Sequence, residues 1–155
     1  MLPFVFSNYP QPRAEQLTGY RIIHTRPVSN TINILVLSSE VVVSDICESQ
    51  QLTSQSGYIR TPSYPSNYHR QGKCSTTITA HPSQRLTLYI IDMELESRGT
   101  ADCADQLYFN DKLRSITLCG SRNNNTYHMH TNFLHIELKS SSGGHSKGFW
   151  LYYEG

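Results

Sequence analysis

The chain predicts an all-β fold, a sandwich of two sheets, on three observations. From Cys47 onward, short runs rich in apolar residues alternate with clusters of turn residues. The segment Asn132–Lys139 alternates without a break, with Leu134, Ile136 and Leu138 on one face and His135, Glu137 and Lys139 on the other. That pattern belongs to an antiparallel strand with one face on a core and one in water. No segment sustains a 3.6-residue apolar period between recognisable caps.

Residues 1–46 carry no cysteine and stand apart from the rest. Tyr20–Thr25 and Thr31–Leu37 read as extended runs punctuated by Pro27, Ser29 and Asn30, and Val41–Val43 adds a third. The expectation is a linker or the remnant of a preceding domain. Farther on, Leu86–Ile90 reads as a strand. Leu107–Phe109 follows, then the turn Asn110–Lys112 and the apolar positions Leu113, Ile116 and Leu118. Ser140–Gly144 is a loop after the alternating strand, and Gly148–Tyr153 closes the chain as an aromatic strand.

Charge narrows the function. Thirteen basic and twelve acidic residues leave a net charge of +1, which points to neither nucleic acid nor an anionic membrane. The longest apolar stretch, Ile32–Val43, is broken by Asn33, Ser38, Ser39 and Glu40, too short and too polar to span a bilayer. No membrane insertion by this segment is expected.

The four cysteines, Cys47, Cys74, Cys103 and Cys119, form an even set without the C-x-x-C spacing of a zinc knuckle. They predict two disulfides and an oxidising compartment, and by themselves they leave three pairings open. The first dozen residues have no basic n-region ahead of an apolar stretch. Cysteines that need export and a start without an export signal are reconciled if the chain is a piece of a longer extracellular protein.

Gly57-Tyr58-Ile59-Arg60-Thr61-Pro62-Ser63-Tyr64-Pro65 begins ten residues after Cys47, and Met93-Glu94-Leu95-Glu96 precedes Cys103. Cys119-Gly120 and a closing Gly148-Phe149 with Tyr152 or Tyr153 complete an ordered set. Over residues 47–155 this set resembles the CUB domain family, whose motifs run G-x-I-x-S-P-x-Y-P, F-D-L-E, C-G and G-F-x-x-x-Y. The resemblance implies two antiparallel sheets with jelly-roll-like topology and the pairs Cys47–Cys74 and Cys103–Cys119. It also implies a non-catalytic extracellular module that recognises a protein ligand. The module could stand within a larger secreted protease, or bind carbohydrate as spermadhesins do.

Many members of that family hold calcium through the Glu of F-D-L-E, an Asp three residues after the third cysteine and an Asp beyond the next-to-last strand, supported by a Tyr. Glu96 matches the first, and Tyr68 stands for the Tyr. Gln106 occupies the second position, Asp105 comes one place early, and Ser141 follows the strand. One place along a strand reverses the face, so Glu96 and Asp105 are expected to be solvated loop acids. Calcium takes six to eight oxygens, and no metal is expected.

The remaining candidates are weak. His128 and His130 would share a strand face, but no third ligand is apparent. Glu94 and Glu96, two apart, read as an exposed strand edge. No nucleophile elbow, HExxH or phosphate loop occurs, so no catalytic residue and no cofactor is assigned. Asn124-Asn125-Thr126 is an N-glycosylation sequon in a polar turn, acceptor Asn124. Trp150 is expected in the core rather than as a sugar-stacking platform. Thr76 stands where the family usually carries Trp.

Overall fold

A computed structural model describes residues 41–155, apart from residues 50, 69–71, 98–102 and 142–144. The runs at Tyr20–Thr25 and Thr31–Leu37 lie outside the described residues. Among the described residues ten strands follow in chain order: β1 (Val43–Asp45), β2 (Gln51–Leu52), β3 (Ser56–Arg60), β4 (Gly72–Thr79), β5 (Thr87–Glu94), β6 (Gln106–Asn110), β7 (Ser115–Leu118), β8 (Asn125–His128), β9 (Phe133–Ser140) and β10 (Gly148–Glu154). They build two five-stranded sheets, ordered β1-β3-β10-β5-β8 and β2-β4-β9-β6-β7.

Pairing is antiparallel except at one edge of each sheet, where β1 runs parallel to β3 and β2 parallel to β4. The expected purely antiparallel sheets are therefore mixed. The chain passes from β1 in one sheet to β2 in the other and back to β3, so β1 and β3 meet without a hairpin between them. β1 pairs with β3 ahead of Cys47.

Alternation decides which side chains the sheets enclose. Ile59, Leu88, Ile90, Met93, Phe149, Leu151 and Tyr153 come from the first sheet. Ile78, Leu107, Phe109, Leu134, Ile136 and Leu138 come from the second, and all of these belong to one buried cluster. Burying a side chain of this size contributes about 1.5–3 kcal/mol, so the shared core dominates the stability of the sandwich. Phe109 of β6 meets Tyr127 of β8 across the layers, with ring centroids 6.0 Å apart.

Two disulfides tie the layers and their loops. Cys47, just after β1, is bonded to Cys74 within β4, which links one sheet to the other. Cys103, ahead of β6, is bonded to Cys119 just after β7.

Candidate functional site

At one end of the sandwich the loops after β3, β5 and β9 converge with the segment that enters β6. Along β6 the inward positions are Leu107 and Phe109, and Asp105 falls on the same parity. Asp105 is fully buried, whereas Gln106 is half-exposed. The expectation that Asp105 would be a solvated loop acid is thus corrected. One place of displacement does reverse the face, but Asp105 holds the inward one. Its backbone N–H donates to the Glu96 carbonyl at 2.9 Å, which sets the carboxylate at the mouth of the core.

Four protein donors meet that carboxylate. The Tyr68 hydroxyl donates to Oδ2, as does Ser140 Oγ at 3.1 Å. Ser141 donates to Oδ1 twice, from its backbone N–H at 2.8 Å and from Oγ at 3.2 Å. Tyr68 is itself buried, and its phenol is held well above its ordinary range, first by burial and then by the hydrogen bond to Asp105 and by its charge. Its backbone N–H reaches the Ser146 carbonyl at 3.2 Å, so the segment after β3 is fastened to the one before β10.

This donor set does not fit a calcium ion. Calcium takes six to eight oxygens, usually several of them carboxylate. Here both oxygens of Asp105, the one fully buried acid among the described residues at this end, already accept hydrogens from the protein. Ser141 adds donors where the family places an acid. Among the described residues no three of His, Cys, Asp and Glu gather as a metal-ligand group. Glu96 is half-buried, so it is not the freely solvated acid that was expected either.

A second polar clamp lies beside the first. Asp92 accepts from the Tyr64 hydroxyl at 2.6 Å and from Lys147 Nζ at 2.8 Å, and Lys147 also lies 3.9 Å from Glu94. Glu94 is accordingly one side of an ion pair on an exposed strand end. Burial, then the bond to Asp92 and its charge, raise the Tyr64 phenol. Thr61 is fully buried between the two segments: Oγ1 donates to the Lys147 carbonyl and accepts from the Phe149 N–H, each at 3.2 Å. Gly148 sits against it with φ +87°, and a Cβ there would lie 2.0 Å from Thr61 Oγ1.

Trp150 is 7% exposed but lies on the outer face of its sheet, opposite Phe149 and Leu151. The expected place in the core belongs to Phe149. Trp150 packs at 5.4 Å from Tyr58 and 5.6 Å from Tyr64, while Tyr58 and Tyr89 flank Tyr152 at 5.0 and 5.8 Å. The rings therefore pack on one another, and the tryptophan offers little open face to a sugar.

His128 and His130 share an exposed face on either side of buried Met129, as alternation requires. Each is engaged separately. His128 Nδ1 lies 3.4 Å from Thr87 Oγ1, and His130 Nδ1 lies 3.0 Å from Asp111 Oδ2. Sequence reading missed Asp111, which is 1% exposed and also accepts the backbone N–H groups of Leu113, Arg114 and His130 at 3.0, 2.7 and 2.8 Å. Its signal was the turn Asn110–Lys112, because an Asp inside a tight turn often accepts from the backbone beyond it. Asn124 is exposed with φ +58°, and Thr126 of the sequon is exposed on β8.

A family model described as CUB domain matches residues 47–153. Cubilin of Rattus norvegicus is 29% identical over 108 residues, 66% of this chain and 3% of the relative's length. Signal peptide, CUB and EGF-like domain-containing protein 2 of Mus musculus is 28% identical over 109 residues, 66% of this chain and 11% of its own length. The chain thus spans a small part of these relatives. Among solved structures, the MASP-1 CUB2 domain bound to Ca2+ superposes with a TM-score of 0.64 at 22% identity, covering 70% of this chain and all of that one. The extracellular region of zebrafish Gpr126/Adgrg6 gives 0.63 at 25% identity, over 70% of this chain and 14% of that one.

Proposed function

Because the CUB model matches residues 47–153, more than half of this chain, the chain belongs to the CUB domain family, and we propose that it acts as a metal-independent, non-catalytic recognition module of an extracellular protein. Its ligand in this reading is another extracellular protein. In this reading the module includes β1 and so begins at Val43 rather than at Cys47, and the residues ahead of it are a linker or the remnant of a preceding domain. The two disulfides and the CUB-containing relatives support the extracellular setting. Asn124, exposed on its turn, is the proposed glycan acceptor.

One observation carries the metal-independent part: the Asp105 carboxylate is already saturated by Tyr68, Ser140 and Ser141. A carboxylate that holds an ion must aim lone pairs at it, and here those lone pairs receive hydrogens. The hydrogen-bond cage ties together the same loops that an ion would tie. Bonds to a charged acceptor contribute about 1.5–3 kcal/mol each, enough to order the loops without a metal.

The test is a thermal melt of the oxidised domain in millimolar calcium and in chelator. The expected midpoints coincide. A rise of several degrees with calcium would show that an ion binds the folded state and would overturn the reading. The packing of Trp150 among tyrosines speaks against the carbohydrate-binding alternative. A glycan array that gave clear binding abolished by Trp150→Ala would reverse that judgement.

A further inference from the structure

We infer that the glycan on Asn124 guards the free edge of the first sheet, so that losing it converts the module into a self-associating one; this rests on the reading of Asn124 as an acceptor. The argument begins with the edge. Among the described residues β8 ends its sheet and pairs only with β5. Three of its four residues, Asn125, Thr126 and His128, are exposed. An unpaired strand edge is a template for pairing with another chain, and native sheets blunt it with lysine, proline, bulges, very short strands or cover. β2 is only two residues long and β1 only three. β7 is led in by Lys112 and Arg114. β8 contains no lysine and no proline.

Cover is present at one end of β8. Arg114 reaches from the β6–β7 turn and donates to the His128 carbonyl at 3.1 Å. The opposite end begins at the sequon. Asn124 immediately precedes β8, and Thr126 lies within it, opposite Tyr89 of β5.

The approach to Asn124 is fixed rather than loose. Asn123 Oδ1 accepts the Met93 N–H at 3.0 Å, and the Arg122 N–H donates to the Met93 carbonyl at 3.1 Å. Asn123 is thereby turned onto β5. The next residue adopts the left-handed conformation, which Asn tolerates better than most residues, and its side chain stays exposed. A sugar chain there starts one residue ahead of the edge strand. Its bulk keeps a second β8 from aligning antiparallel against it, the arrangement a two-fold dimer would use.

Four forms of the chain, secreted from glycosylating cells, test this. Wild type and Thr126→Ser keep the sequon. Asn124→Gly and Thr126→Val remove it, the first with a residue that tolerates positive φ and the second with a β-branched side chain of similar shape. Wild type and Thr126→Ser are expected to shift in mass on treatment with N-glycosidase and to run as monomers in light scattering across a concentration series. Asn124→Gly and Thr126→Val are expected to show no mass shift and to move to dimers or larger species as concentration rises. If wild type shows no mass shift, the acceptor reading itself fails. If the mass shift is present but both unglycosylated variants stay monomeric over the series, the acceptor stands and the guarding role is overturned.

Discussion

Asp111 shows how one side chain organises a turn. Burial by itself would raise its carboxyl, but the backbone N–H groups of His130, Arg114 and Leu113 and the His130 ring outweigh burial and hold it at about 2, below the ordinary 3.8. A carboxyl lowered on folding stabilises fully above its unfolded value and loses that contribution as pH falls through its folded one. Asp111 should therefore contribute on the order of 2 kcal/mol at neutral pH, lost between about pH 4 and pH 2. Asp111→Ala should cost about 2–4 kcal/mol in urea unfolding at pH 7, because it strands several N–H groups. It should also flatten the acid limb of the stability curve, and an unchanged limb would show that other carboxylates set it. Thr76 is the converse case: 1% exposed, with no hydrogen-bond partner for Oγ1. Thr76→Val is expected to gain about 0.5–1.5 kcal/mol in the same measurement.

Strands differ in how openly the sequence declares them. β9 is plain because Leu134, Ile136 and Leu138 face in while His135, Glu137 and Lys139 face away from the core. β4 has the same alternation, yet its inward residues are Cys74, Thr76 and Ile78. Two of those three look polar or special, so the period is hidden among serines and threonines. β8 hides for a related reason, since only Tyr127 packs inward. The start of β10 depends on a contact no pattern reveals: Gly148 lies against Thr61, 87 positions earlier. Gly148→Ala combines an unfavourable φ with overlap onto the buried Thr61 side chain as far as its Cβ, and it should lower stability by about 3 kcal/mol or more or abolish folding. A melt near that of wild type would mean that the Thr61 segment yields easily.

For the molecule as a whole, the motif order declared the sandwich and the family, while the site was only half legible. Glu96, Tyr68 and the absence of an acid at Ser141 could be read from spacing. That Asp105 is enclosed could not, because strand parity says two residues face opposite ways and leaves open which of them faces in. The cage suggests a gain-of-function check. Ser141→Asp removes the side-chain hydroxyl donor and sets a second carboxylate beside Asp105, restoring the family's acid. Two adjacent carboxylates, one of them the buried Asp105, repel unless a cation separates them. This variant should be less stable than wild type in chelator and recover with millimolar calcium, whereas wild type responds to neither. A calcium-indifferent Ser141→Asp would mean that these loops cannot open enough to admit an ion.

The Cys47–Cys74 bridge has a mechanical consequence. The sandwich begins at β1 and ends at β10, both in the first sheet and separated only by β3. Tension applied to the two ends of the sandwich therefore loads this sheet before the other. β1 has just three residues and would slip first. The load then arrives at Cys47, which passes it covalently into β4 of the second sheet. Further extension from this end then requires β4 to leave β9, and the span up to Cys74, with β2 and β3 inside it, stays shielded from the pull. Under load the domain would yield at its rim and hold at its middle, a tether with a built-in stop.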